Sequence, residues 1–220
     1  VHDLVEPPDD DQLAAALDVL AAVHASFWHD AWMAGDDTFR PVLTTTPGLY
    51  RTVGRRRCLP IARERWSEWF TDDHSHLVAD ALDRFADDVA FVNQPVTLVH
   101  GDPRSDNILY RDDGQVVLLD WALAAHAHPG FDVGYLLSSC LSAERLGAAT
   151  DLVAGYERAL ASHGVESDGA ALREGIRATY RGLAVQLLMS VAVLQGDSYD
   201  GESMDDLWMP RIVAGLEHDW

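Results

Sequence analysis

The feature that most constrains this chain is one short β-rich stretch set between long tracts of helical periodicity. Val96-Thr97-Leu98-Val99, Ile108-Leu109-Tyr110 and Val116-Val117-Leu118-Leu119 are brief apolar runs, and Arg111-Asp112-Asp113-Gly114 turns the last two into a hairpin. Upstream, Leu13, Leu17, Leu20 and Val23 recur at three and four behind Asp9-Asp10-Asp11, which supply an N-cap and charges that favour a helix start. Trp66, Trp69, Phe70, Leu77, Leu82 and Phe85 anchor a second helical tract from Ile61 to Ala90, with Thr71 as a cap between two helices and Pro95 as its stop. Downstream, the spacing predicts helices over about 132–140, 143–163, 168–195 and 204–217, with Gly164 and Gly196 ending two of them. Residues 36–58 carry Gly, Pro, Thr and Arg55-Arg56-Arg57 and read as a loop with a little helix, the arginines as ion-pair partners for nearby carboxylates. The result is an α+β fold, mostly α, in which helices pack around a small hairpin whose loops are dense in Asp, Asn and His.

With 220 residues, 48% of them apolar, the chain can bury a core without disulfides. Cys58 and Cys140 stand far apart in no metal-ligand spacing and read as core thiols of a reducing compartment. Asp and Glu number 36 against 16 basic residues, a net charge of −20 that disfavours nucleic acid and anionic lipid as partners. Every basic residue is Arg, and the chain contains no Lys. The apolar run Gly182–Leu194 is broken by Gln186 and Ser190 and is too short to span a bilayer, and no basic, apolar leader opens the sequence. These features read as a cytoplasmic protein. The first residue is Val rather than Met, as in a sequence that begins within a longer protein or at a non-standard start codon.

The chemistry concentrates in His100-Gly101-Asp102-Pro103-Arg104-Ser105-Asp106-Asn107, followed across the hairpin by Asp120-Trp121. Asn107 and Asp120 offer hard oxygen ligands of the kind Mg²⁺ takes alongside substrate phosphates and water. Asp102 is then left to accept a proton from an incoming hydroxyl and align it on a phosphoryl group. The pairs His126/His128 and His74/His76 have i, i+2 spacing but lie in loop or helix-start contexts, which argues against metal ligation. A dinuclear metallophosphatase would need further Asp-x-His and Gly-Asn-His elements, which the sequence lacks. Trp66, Trp69 and Trp208 read as core, and His24 and His29 as a capped helix end.

The pattern His-Gly-Asp-x-x-x-x-Asn, then an apolar strand and Asp-Trp, resembles the catalytic and metal-binding segments of the aminoglycoside phosphotransferase and choline kinase-like family. Its Pro-Arg-Ser-Asp variant resembles the phosphotransferase enzyme group near the ecdysteroid kinase-like branch. Leu20-Ala21-Ala22-Val23-His24-Ala25 is similar to the helix after the family's hinge, and Pro129-Gly130-Phe131-Asp132-Val133-Gly134-Tyr135 to its Pro-x-x-Asp-Leu-Ala element. The resemblance implies a kinase-like C-terminal lobe over 1–220, with a catalytic loop at 100–107, a metal-binding segment at 116–121 and a helical substrate subdomain at 132–220. It implies Asp102 as catalytic base, Asn107 and Asp120 as Mg²⁺ ligands, and His100 and Asp132 as supports of the loop. Leu109 and Leu119 would floor the adenine ring of ATP, or the base of GTP. The implied reaction is phosphorylation of a small-molecule hydroxyl.

One departure from the family is large. Kinase-like folds use a Gly-rich hairpin over the phosphates and a strand Lys on the α- and β-phosphates. This chain has neither, and no room before residue 10 for a five-stranded lobe. The expectation is a catalytic lobe whose partner lobe comes from a longer natural chain or from another polypeptide. The alternative is a non-catalytic scaffold.

Overall fold

Asp9 opens the first helix with a reciprocal cap: its carboxylate accepts from Gln12 N at 2.9 Å, and the Gln12 side chain accepts from Asp9 N at 3.0 Å. This helix, α1 (Asp10–Ser26), buries Leu13, Leu17, Leu20 and His24 along one stripe. The computed structural model describes residues 2–30, 32, 33, 39, 41–43, 46–193, 198, 199 and 202–220.

The stretch 36–58, expected as a loop with a little helix, is helical from residue 47 onward: α2 (Pro47–Val53) runs through a π-helical turn (Gly54–Cys58) into α3 (Leu59–Arg65). Pro47 and Pro60, which look like breakers in the sequence, each sit in the first turn of a helix, where a missing N–H loses no bond. Arg51 and Arg55 both reach Asp83 on α4 (Asp72–Val92), so part of the arginine cluster forms the expected ion pairs. Residues 36–38, 40, 44 and 45 of that stretch, and Gly196, lie outside the described residues. Thr71 caps α4 as expected, accepting from His74 N at 3.2 Å.

Strand β1 (Thr97–Val99) is followed by a 3₁₀ turn (Ser105–Asn107), then by β2 (Ile108–Tyr110) and β3 (Val116–Leu118), paired antiparallel with Ile108 opposite Leu118. A second 3₁₀ turn (Trp121–Leu123) leads into β4 (Ala125–Ala127), which pairs antiparallel with β1. This corrects the loop expected around His126 and His128. The backbone of β1 needs a partner of its own, and Leu98 finds it opposite His126. No cluster of three or more His, Cys, Asp or Glu among the described residues is arranged to hold a metal ion.

Helix α5 (Gly130–Cys140), a 3₁₀ turn (Ala143–Ala148), α6 (Ala149–Ser162), α7 (Gly169–Val193), a short ribbon of β5 (Ser198–Tyr199) and β6 (Glu202–Ser203), and α8 (Met204–Glu217) complete the described chain. Helix α7 packs against α4, α5 and α8, and α1 lies along α6. Arg181 of α7 grips the nearly buried Asp88 of α4 through Nε and Nη2 at 2.9 and 2.6 Å, a two-pronged pair shielded from solvent. Between α5 and α7 the approach is closer still: a Cβ on Gly130 would lie 2.8 Å from Gly175 Cα. Phe85, Phe131, Tyr156, Tyr180 and Trp208 belong to one continuous core, and Cys58 and Cys140 are buried free thiols. Among the described residues no helix is long and apolar enough to cross a membrane.

Candidate active site

The site hangs on a turn that leaves β1 and is caught by the first turn of α5. Gly101 takes φ +86°, and a Cβ there would stand 2.0 Å from Leu123 O, so both the backbone and the space demand glycine. Asp132, fully buried at the start of α5, accepts from His100 N at 2.6 Å and Gly101 N at 3.0 Å. A third donor is His24 Nε2 at 3.1 Å, and Nδ1 of the same ring lies 2.6 Å from the Tyr156 hydroxyl. Burial, and then the charge of Asp132, hold that phenol well above its ordinary pKa, so it remains protonated. His24 is thus a buried brace rather than the helix cap expected. The spacing that picks out Leu13, Leu17 and Leu20 falls next on His24, and that signal was available.

Beyond the turn, Asn107 Nδ2 donates to Asp102 O at 2.8 Å and Asp102 Oδ2 at 3.1 Å, folding the loop back on itself. Asp102 Oδ1 is buried, accepts no hydrogen bond among the described residues, and lies 3.1 Å from Arg104 Nε. The Tyr135 hydroxyl, one helical turn after Asp132 on α5, also faces this carboxylate. Burial first, and then the Asp102 charge, push its pKa well up. Tyr135 is held edge-on by Trp208 of α8 at 5.2 Å between ring centroids.

Leu119 N donates to Asn107 O at 2.8 Å, which extends the hairpin ladder and brings Asp120 beside Asn107. Asp120 itself is left-handed, at φ 57° and ψ 71°, a strained conformation for a residue other than glycine. His100 ties the two segments together. Its Nδ1 accepts from Asp102 N at 3.3 Å and its Nε2 donates to Leu119 O at 2.7 Å, which fixes the hydrogen on Nε2. The ring packs 4.6 Å from that of Trp121.

Asp102, Asn107, His100 and Asp132 are therefore joined by one set of contacts, with Asp120 following Leu119 on the bonded hairpin; His24, expected as a helix cap, and Arg104 and Tyr135, expected only as parts of their motifs, join them together with Tyr156, which the sequence did not single out. Leu109 and Leu119 lie on the outward face of the hairpin, with Val117 37%, Leu119 39% and Leu123 61% exposed. The cavity between α4, α7 and α8, lined by Tyr180, Arg181 and Trp220, lies at the far end of α8 from this site and shares none of its residues.

The donor set suits a hard divalent cation. Asn107 carries an amide oxygen and Asp120 a carboxylate, whose Oδ1 accepts from Ala122 N at 3.3 Å, and oxygens of these kinds with substrate phosphate and water form the shell Mg²⁺ prefers. The Asp102 carboxylate, its buried Oδ1 paired with Arg104 Nε at 3.1 Å, is a group that can accept a proton.

The fold is that of kinase-like phosphotransferases. The structure is similar to that of an aminoglycoside phosphotransferase from Alicyclobacillus acidocaldarius subsp. acidocaldarius DSM 446, with a TM-score of 0.58 and 18% identity over 94% of this chain and 65% of that one. It is also similar to choline kinase LicA from Streptococcus pneumoniae, with a TM-score of 0.51 and 16% identity over 94% of this chain and 63% of that one. In sequence it is 27% identical over 128 residues to the uncharacterized protein YcbJ of Bacillus subtilis (strain 168), covering 58% of this chain and 38% of YcbJ. The chain therefore spans less than two thirds of the length of each of these relatives. The model of the phosphotransferase enzyme family matches residues 2–173, and the chain belongs to that family.

Proposed function

We propose that this chain supplies the base and the metal ligands of an ATP- or GTP-dependent, Mg²⁺-requiring phosphotransferase that acts on a hydroxyl of a small molecule. The observation that carries the reading is the junction of loop and hairpin. Asn107 is clamped to Asp102, Leu119 is bonded to Asn107, and Asp120 is held next in line in a strained backbone. The acceptor hydroxyl passes its proton to Asp102 Oδ1 as its oxygen bonds to the γ-phosphorus. The bond from that phosphorus to the β–γ bridging oxygen breaks, and the nucleoside diphosphate leaves with the electron pair. Mg²⁺, when bound, spreads the charge of the phosphates. Asn107 and Asp120 would hold it, while Asp132, His100 and His24 keep the loop in place.

The outward apolar face of the hairpin, with Leu119 and Leu123, supports a further segment that closes on the nucleotide from the other side. That segment would come from a longer natural chain or from a partner polypeptide. A cytoplasmic setting, where nucleoside triphosphates are abundant, agrees with this reading.

The test is phosphate transfer from γ-labelled Mg·ATP by the natural full-length protein to a pool of small alcohols and amino alcohols. Asp102→Asn is expected to slow transfer by about 10²–10⁴-fold, the range for loss of a general base, while nucleotide affinity stays within about twofold. Normal turnover by that variant would remove Asp102 as the base. Nucleotide binding without transfer to any hydroxyl would favour the scaffold alternative.

A further inference from the structure

We propose that the cavity between α4, α7 and α8 is a binding site for a small aromatic carboxylate, an inference independent of the phosphotransfer reading. The cavity holds about 170 Å³, close to the roughly 150 Å³ that admits a single benzene ring. It is remote from the loop that carries Asp102. Met204 opens α8 in contact with Arg104, whereas Gly215, on the cavity wall, lies eleven residues further on, about 16 Å along the axis at 1.5 Å per residue.

One wall is aromatic and held in place. A Cβ on Gly215 would fall 2.0 Å from Tyr180 Cε1, so the absence of a side chain is what lets the phenol ring lie against α8. Trp220 packs on that ring at 4.8 Å between centroids. Its Nε1 donates to Gly215 O at 2.8 Å, which satisfies the indole's polar atom and leaves the ring for apolar contact. The polar lining is cationic and partly fixed. Asp88 accepts from Arg181 Nε at 2.9 Å and Nη2 at 2.6 Å, and Glu174 accepts from Nη2 at 2.7 Å. Nη1 of that braced guanidinium has no hydrogen-bond partner among the described residues, so it can donate to a carboxylate with little further loss of side-chain freedom. Arg177 is held by Glu174 at 3.6 Å and donates to Trp220 O. Arg84 makes no hydrogen bond or ion pair among the described residues, so its charge is the one still available to an anion, with Asp80 the one acid among the described lining residues. The Tyr180 hydroxyl and His218 Nε2 belong to lining residues too, and both are buried without a hydrogen-bond partner among the described residues, a state that calls for a further polar partner. A ring for the aromatic wall and a carboxylate for Arg84 and Arg181 meet these requirements in one small molecule.

The experiment is calorimetric titration of the natural full-length protein with benzoate, benzamide and inorganic phosphate in turn, repeated on Arg84→Gln and on Leu77→Trp, which places a larger side chain on the cavity wall. Thermal melting of each variant is the control for folding. Benzoate is expected to bind with a Kd below about 1 mM, and benzamide and phosphate at least about tenfold more weakly, since each lacks either the charge or the ring. Arg84→Gln should weaken benzoate by about tenfold, and Leu77→Trp should abolish its binding. No heat from benzoate at about 5 mM, equal affinity for benzamide or phosphate, or benzoate binding unchanged in both variants would overturn the assignment.

Discussion

Replacing Asp132 by Asn keeps the shape of the side chain and changes its charge and hydrogen-bonding capacity, which makes it the sharpest probe of what holds the loop that carries Asp102. The carboxylate accepts three bonds, two on Oδ2 from His100 N and His24 Nε2 and one on Oδ1 from Gly101 N. An amide placed to preserve the first two turns its own NH₂ toward Gly101 N, leaving one buried donor facing another. That orphaned N–H costs about 1–3 kcal/mol, and exchanging a charged for a neutral acceptor weakens each surviving bond by about 0.5–1 kcal/mol. The sum is about 2–5 kcal/mol. At about 2–4 °C per kcal/mol for a domain of this size, Tm should fall by about 4–20 °C. Circular dichroism melts of Asp132→Asn and Asp132→Ala provide the assay, with the Ala variant expected to lose more because it strands all three donors. A fall of less than about 3 °C for Asp132→Asn, or equal falls for the two variants, would refute the argument.

Three further outcomes follow from the same geometry. Gly101→Ala must place a methyl against Leu123 O in a backbone of positive φ, so it should abolish soluble folded protein or lower Tm by more than about 10 °C, read by expression and melting. Asp120→Ala should weaken Mg·nucleotide binding by about tenfold or more in calorimetry, and unchanged affinity would remove Asp120 from the metal shell. Burial, and then His24, push the His128 imidazole down to about 4, and its Nδ1 accepts from Gly130 N. Between pH 6.5 and 4 the unfolded chain therefore takes a proton that the folded one refuses, and stability is lost as pH falls. Urea unfolding should show about 2 kcal/mol of acid-dependent loss between pH 7 and 5 that is missing from His128→Gln, and identical pH slopes would exclude the effect.

Much of the helical frame was legible because its signals are local. Thr71, Asp9 and Gly164 mark element ends by chemistry that acts within a few residues, and Leu13, Leu17 and Leu20 show a buried stripe without any knowledge of its partner. Strand β4 was not legible, since three residues of Ala-His-Ala carry no β signal of their own and become a strand only because β1 needs a neighbour. The extent of helix within 36–58, expected as a loop with a little helix, was underestimated for the opposite reason, a proline that reads as a breaker and serves as a first-turn residue. In the site, the loop and hairpin acids announce themselves by spacing. Their braces come from α1, α5 and α6, and only tertiary structure brings Tyr156 to His24, 132 positions away in sequence.

Where Gly130 meets Gly175, backbone rests on backbone, and that contact acts as a gauge for chemistry some distance away. A methyl on Gly130 would start 2.8 Å from Gly175 Cα, so α5 would have to withdraw by about 1 Å to restore an ordinary carbon contact. Asp132 stands two residues further along the same helix and would travel with it, carrying the turn that precedes Asp102. Active sites hold their groups to within about 0.5 Å, and a displacement of about 1 Å can cost a hundredfold in rate. The spacing of two helices, set by residues with no side chain at all, is thereby a calibration that a substitution at either glycine would detune.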